Sequence, residues 1–294
     1  MGSEIEIKLS MDAGRIALAR KWLLSRPGSV AGRTIPMRNI YYDTPEGELN
    51  RQRVALRIRQ AGDVVLQTLK TRGEVCGGVA RRQEWEWVIP AVELDRAGLA
   101  DTPLAGSETL DRLQPCFETC FERQLVDLEV QGEAGQNAAS IECALDQGEI
   151  TADQYRLPLC ELELELKGGD EKAVTDVAAQ LVAEVPALVN SISKAEQGYF
   201  LAGLYQGPEY CADPVEQWIS LLSWTWLQDR TEGWPTVLEA HRNVSDQADR
   251  AELGGLWSRI DRYLDDAMRQ RHSPRQTLLN LPGLARLQLG LALG

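Results

Sequence analysis

Histidine is almost missing from this chain of 294 residues; the two present are His241 and His272. Histidine-dependent catalysis is thereby excluded from everything before residue 241. The six cysteines, at 76, 116, 120, 143, 160 and 211, include no Cys-x-x-Cys pair. With so little histidine this removes a Cys/His zinc site, and the sulfurs are expected as reduced thiols in or near the core. No Gly-x-x-x-x-Gly-Lys-Ser/Thr loop is present, so any phosphate is held by something other than a P-loop. No uncharged apolar run approaches the ~18 residues that a membrane helix needs. Glu4, Glu6 and Lys8 interrupt any apolar run that could act as a leader. These absences lead to the expectation of a cytoplasmic protein without a membrane partner.

Hydrophobic residues make up 44% of the chain, enough to bury a full core in one large domain or two. The formal net charge of −13 argues against a surface that coats nucleic acid. An anionic substrate would therefore need a locally basic pocket.

Short alternating segments supply such a pocket. In Glu4-Ile5-Glu6-Ile7-Lys8 a strand would put Glu4, Glu6 and Lys8 on one face and the isoleucines on the other. Two carboxylates on a rigid strand are hard oxygen ligands of the kind Mg²⁺ and Mn²⁺ prefer. Glu161-Leu162-Glu163-Leu164-Glu165 repeats the pattern at greater length, and Glu142 shares a side with Asp146. Arg57 and Arg59 share one face of a third segment, Lys70 lies on the side of Thr68 in a fourth, and Arg82, Glu84 and Glu86 fall together in a fifth. Taken singly, each is an ordinary half-buried strand with a wet face. Taken together, acids and bases are segregated by segment, and the opposite faces carry Ile, Leu, Val and Trp. If the strands close on one another, the charged faces meet inside.

Strands are expected at 3–10, 35–44, 53–60, 64–70 and 81–89, with a hairpin turn at Gly62-Asp63 and a flexible loop over 73–78. Further strands are expected at 118–130, 139–146, 149–155 and 159–167. Helices are expected at 12–25 and 170–184 and again from Lys194, with short helices over 93–115. A boundary falls near Tyr205-Gln206-Gly207-Pro208, giving a domain at 1–206 and a helical appendage at 207–294. Beyond it there is no lysine, and helices are expected at 214–228, 232–242, 246–271 and 275–292.

In this order the segments resemble the CYTH superfamily, the triphosphate tunnel metalloenzymes. The resemblance rests on Glu4-x-Glu6-x-Lys8, Asn39-Ile40-Tyr41-Tyr42-Asp43-Thr44, Leu56-Arg57-Ile58-Arg59, Thr68-Leu69-Lys70, Arg82-x-Glu84, Phe121-Glu122-Arg123, Ala144-Leu145-Asp146-Gln147-Gly148-Glu149, Cys160 through Glu165, and Ser193-Lys194-Ala195-Glu196-Gln197-Gly198-Tyr199. It covers about residues 3–205 and is nearest to bacterial inorganic triphosphatases, some of them labelled adenylate cyclases.

The resemblance implies an α+β fold: a closed antiparallel eight-stranded β-barrel forming a tunnel, with helices outside and a small C-terminal all-α region. In related proteins that region often holds a CHAD domain, of which this segment would be a short or degenerate form. The implied activity is metal-dependent hydrolysis of inorganic tripolyphosphate, with Mg²⁺ or Mn²⁺ held by Glu4, Glu6, Glu161 and Glu163. Lys8, Arg57, Arg59, Lys70, Arg82, Arg123 and Lys194 would bind phosphate oxygens. Glu4 or Glu6 would take the proton from water, and Lys194 would assist the leaving group. Glu84, Asp146 and Glu165 come second, as metal ligands, partners of an arginine or solubilising residues. The alternatives are an adenylyl cyclase, a thiamine triphosphatase and a non-catalytic polyphosphate-binding module. The partner is tripolyphosphate or another triphosphate rather than nucleic acid or membrane, and a homodimer stays open.

Overall fold

The computed structural model describes residues 5–71, 74–76, 79–81, 84–131 and 138–292. Glu4 and Arg82 lie outside that range. The chain begins β1 (Glu6–Ser10), α1 (Ala13–Leu24), β2 (Ser29–Asp43), α2 (Glu48–Arg51), β3 (Ala55–Ala61) and β4 (Val64–Lys70). A small hairpin, β5 (Glu74–Cys76) with β6 (Val79–Arg81), occupies part of the segment expected as a flexible loop, and β7 (Glu84–Val88) follows. Two 3-10 turns, Gly98–Asp101 and Glu108–Arg112, lead to the long strands β8 (Gln114–Val130), β9 (Ala139–Ala152) and β10 (Tyr155–Gly168). Then come α3 (Glu171–Glu184), β11 (Leu188–Val189) and α4 (Lys194–Leu201). The rest is helical: α5 (Pro214–Gln228), α6 (Trp234–Asn243), α7 (Ser245–Arg250), α8 (Gly254–Arg269), α9 (Pro274–Asn280) and α10 (Leu284–Ala292).

Nine strands form one sheet in the order β11-β1-β10-β9-β8-β2-β3-β4-β7. This corrects the expected closed eight-stranded barrel: among the described residues no pairing joins β11 to β7. At the β11 edge the physical reason is visible. The Val189 N–H donates to Gln288 Oε1 of α10 (2.9 Å), and Gln288 Nε2 donates to the Val189 carbonyl (3.0 Å). A side-chain amide thus takes both backbone groups that a further strand would need, and the ladder stops there.

Two further expectations are corrected. Residues 139–155 do not break at Gln147-Gly148; β9 runs straight through, and the turn comes at Asp153, in a left-handed conformation with φ 49°. Gly148 serves close approach instead, because a Cβ there would lie 2.1 Å from the Cys120 carbonyl oxygen on β8. The helices expected at 246–271 and 275–292 are each two. The first is interrupted at Glu252, left-handed at φ 58°, and the second at Pro282-Gly283.

The two faces of the sheet have different covers. On one, α1 and α3 bury Leu9, Val126, Leu128, Cys143, Leu162 and Leu164. Farther along that face, Ile40, Leu56, Ile58 and Leu69 pack with Leu49, Leu99 and Leu104. The other face is apolar only at one end. There Met37, Tyr41, Phe117, Phe121, Ile150, Leu157 and Leu159 share a single buried cluster with Tyr199 and with Trp218, Ile219, Leu222 and Trp226 of α5. The C-terminal helices therefore belong to the core that shapes this face.

Within the helical part, His241 is fully buried. Its ring lies parallel to Trp257 at 5.0 Å and tilted against Trp218 at 5.4 Å. Burial pushes His241 from 6.5 down to about 4, so the folded protein keeps it neutral where the unfolded chain binds a proton. That contribution to stability is complete above pH 6.5 and is lost as pH falls toward 4, by roughly 2–3 kcal/mol. His241→Phe keeps an aromatic ring and removes the titration. Urea unfolding at pH 7 and pH 4.5 should therefore show a smaller acid loss in the variant than in the wild type, and equal losses would refute the assignment.

Candidate active site

Residues directly opposite one another in antiparallel strands share a face. Register carries one face across the sheet: Lys8 opposes Glu163, Glu161 opposes Asp146, and Asp146 opposes Arg123. Farther on, Thr119 opposes Asn39, Asn39 opposes Arg59, and Arg57 opposes Thr68. Glu86 then opposes Thr68, and Glu84 opposes Lys70. The described strand candidates Glu6, Lys8, Arg57, Arg59, Lys70, Glu84, Arg123, Asp146, Glu161, Glu163 and Glu165 thus all stand on the face whose apolar end packs under α4 and α5.

Lys194 is brought to this face by α4. Ser193 and Glu196 form a reciprocal capping box at the start of that helix. Its Gly198 lies flat on Phe117, where a Cβ would come within 2.0 Å of the ring. The Lys194 ammonium then meets three carboxylates: Glu163 Oε1 at 2.6 Å, Glu161 Oε1 at 2.7 Å and Asp146 Oδ2 at 2.9 Å. Arg123 completes the cluster, with Nε and Nη2 on the two Asp146 oxygens (2.8 and 2.7 Å) and Nη2 also on Glu163 Oε2 (2.7 Å). Asp146 and Glu161 are fully buried.

These charges set one another. Burial alone would raise the Glu163 carboxyl, but Lys194 and Arg123 outweigh it and hold the group well below the usual carboxylate range. Lys194, which burial would lower, is raised by Glu161, Glu163 and Asp146. Glu161 goes the other way: burial raises it despite Lys194. Glu6 is raised as well, by burial first and then by the nearby Glu163 charge.

The basic residues lie farther along the face. Arg59 donates from Nε to Asn39 Oδ1 (2.8 Å). Burial, then the charges of Arg57 and Arg123, push it down to about 10, still cationic at neutral pH. Among the described residues, Arg57 Nε is buried with no hydrogen-bond partner. Lys70 pairs with Glu84 at 3.1 Å, and Lys8 stands 3.9 Å from Glu6. Glu165 is drawn away from the cluster to Lys167 (2.7 Å), which also reaches Glu142. Sequence reasoning gave no role to Asn39, Thr119 or Glu86. Only Glu86 carried a plain signal, since it lies between Trp85 and Trp87 on the segment of Glu84; Asn39 and Thr119 have the charged neighbours Arg38 and Glu118 and give no such alternation.

The donor chemistry fits a hard divalent cation. Among the described residues, Glu161 Oε2 is a buried carboxylate oxygen without a donor, and Glu6, Glu163 and Asp146 stand close by. Among the described residues no three acidic, histidine or cysteine side chains converge as a ready cage.

Lys194→Met should leave the buried Asp146 and Glu161 and the half-buried Glu163 without their shared counter-ion. A loss of roughly 3–5 kcal/mol is expected at pH 7, and a smaller one at pH 5, where the freed groups take up protons. Urea unfolding at the two pH values checks this; wild-type stability at both would show that the cluster does not depend on the lysine.

The CYTH domain family is matched over residues 2–199. The chain is 31% identical over 227 residues to an inorganic triphosphatase of Haemophilus influenzae, covering 76% of this chain and spanning 60% of that relative's length. Among solved structures it is similar to a Hippeastrum protein described as having a dominant triphosphatase activity, at 18% identity and a TM-score of 0.46, covering 67% of this chain and 95% of that one. A protein from Pyrococcus horikoshii is similar at 17% identity and a TM-score of 0.35, covering 60% and 88%. Among the described residues no helix is long and apolar enough to cross a membrane. With the match reaching from residue 2 to beyond Lys194, and both acidic strands and the paired arginines inside it, the chain belongs to the CYTH domain family.

Proposed function

We propose that this chain hydrolyses inorganic tripolyphosphate to pyrophosphate and phosphate with the help of a divalent cation, Mg²⁺ or Mn²⁺. The observation that carries the reading is the division of one sheet face into Arg57 and Arg59 beside an acidic cluster around Lys194. A chain of phosphates is an extended polyanion and needs both halves: forks for its oxygens and carboxylates for its cation. The name of the Haemophilus influenzae relative supports the same class of reaction.

In this mechanism Arg57 and Arg59 grip phosphate oxygens in planar, two-pronged contacts, and the partnerless Arg57 Nε gains an acceptor. Lys8, Lys70 and Arg123 add charge along the face, as would Arg82. Glu6, Glu161 and Glu163, with Glu4, would hold the cation, which neutralises phosphate oxygens when bound. Water attacks the terminal phosphorus as the P–O bond to pyrophosphate breaks, and Glu4 or Glu6 takes its proton. The raised Glu6 carboxyl suits an acceptor working near neutral pH. Lys194 steadies the departing pyrophosphate. The chemistry resides in residues 1–206, and the helices of 207–294 brace that part through the shared core.

Phosphate release from tripolyphosphate, ATP and thiamine triphosphate, with and without Mg²⁺ or Mn²⁺, tests the reading. Tripolyphosphate should be the best substrate, and metal removal should abolish turnover. Glu6→Gln should lower kcat by about a hundredfold or more. Arg57→Ala should lower kcat/KM by roughly ten- to a hundredfold, with Arg57→Lys recovering only part. Cyclic AMP formation from ATP outpacing tripolyphosphate hydrolysis would replace this reading with a cyclase. Unchanged rates in Glu6→Gln and Glu163→Gln would remove the metal assignment.

A further inference from the structure

Thr119, Asn39 and Arg59 stand directly opposite one another on the adjacent strands β8, β2 and β3. Thr119 and Asn39 are fully buried. Asn39 Nδ2 donates to Thr119 Oγ1 at 2.9 Å, and Asn39 Oδ1 accepts from Arg59 Nε at 2.8 Å. The orientation of the amide is dictated by chemistry. A guanidinium only donates, so the amide oxygen must face Arg59, and its NH₂ must then face a group that accepts. Arg57, two residues along the same strand, has no such support among the described residues, and its Nε is buried without a partner among them.

Because the bond is made at Nε, the two η nitrogens of Arg59 are left without a protein acceptor among the described residues. The partner is also neutral. An aspartate at this place would form an ion pair and spend the charge that a polyanion needs. Asn39 therefore does two things that a carboxylate cannot combine: it fixes the plane of the guanidinium, and it does so without pairing off the charge of Arg59, on which Glu86 acts only from a distance. Arg59 sits between the charges of Arg57 and Arg123. Without a fixed acceptor it would relax away from both, since like charges repel in a partly buried site.

We infer that Asn39 is a positioning residue that holds Arg59 by Nε, so that the η edge and the full charge of the guanidinium face the triphosphate. This rests on the reading of Arg59 as a phosphate-binding residue. Thr119 is the outer anchor that keeps the amide from turning.

The test is a double-mutant cycle on the full chain. Affinity for inorganic tripolyphosphate is measured by calorimetry for wild type, Asn39→Ala, Arg59→Ala and the pair, with thermal unfolding recorded for each. Asn39→Ala should bind about tenfold more weakly. The double variant should bind no more weakly than Arg59→Ala alone, because Asn39 acts through that arginine. Loss of affinity in Arg59→Ala with wild-type affinity in Asn39→Ala would overturn the inference and leave the functional reading standing. So would an Asn39→Ala effect that adds in full on top of Arg59→Ala. Wild-type affinity in Arg59→Ala would overturn the phosphate reading of that residue, and the inference with it. If Asn39→Ala does not fold, Asn39→Asp decides the matter. It keeps an acceptor for Arg59, and the Thr119 hydroxyl can turn to donate, so it should fold yet bind tripolyphosphate more weakly; wild-type affinity in Asn39→Asp would overturn the inference.

Discussion

The shared contact of one ammonium with three carboxylates organises this molecule. Asp146, Glu161 and Glu163 come from two neighbouring strands and would repel one another in a site with little water. Lys194 makes their closeness tolerable, and Arg123 binds both oxygens of Asp146 and the second oxygen of Glu163. Lys194 can do so only from where α4 places it. That place depends on the Ser193–Glu196 capping box and on Gly198 against Phe117. Phe117 is itself stacked on Tyr41 and edge-on to Tyr199, within the cluster that α5 completes. The electrostatics of the site therefore rest on apolar packing at one end of the same face.

The other half of the face is organised by the opposite device. Arg57 and Arg59 are like charges kept near one another, with Arg123 close enough to act on Arg59. Lys70 has Glu84, and Arg123 has Asp146 and Glu163, but Arg59 is given a neutral amide. Glu86 is the carboxylate that acts on Arg59 there, and it accepts from the Thr68 hydroxyl. These cations sit inside a chain whose net charge is −13.

The sheet's edge shows how backbone satisfaction limits architecture. A two-residue strand, β11, would expose a ladder of unpaired groups, but Gln288 answers both groups of Val189. The same helix, α10, adds Ala285 and Leu289 to the core beneath α1 and α3. Covering the edge and packing the core are thus done by one element, and the C-terminal helices are part of the sheet's structure.

Much of this was legible in the alternation of residues. The period of two in 161–165 and at 57–59 placed charged side chains on one face, because strand geometry allows no other arrangement when leucines and isoleucines need burial. The helix start at 170, where Asp170 caps α3, and the turn at Gly62-Asp63 rest on equally local signals. What the tertiary structure alone decided is long-range. Alternation does not say whether a sheet closes, and a glutamine 99 residues along the chain ended the ladder at Val189. Gly148 reads locally as a break, yet it is a point of contact between two strands. A carboxylate that will meet Lys194 looks no different in sequence from one that will meet Lys167, as Glu163 and Glu165 show. Sequence determined which faces carry charge, because that follows from each residue's neighbours; only the fold determined which charges meet, because that depends on residues brought together from distant parts of the chain.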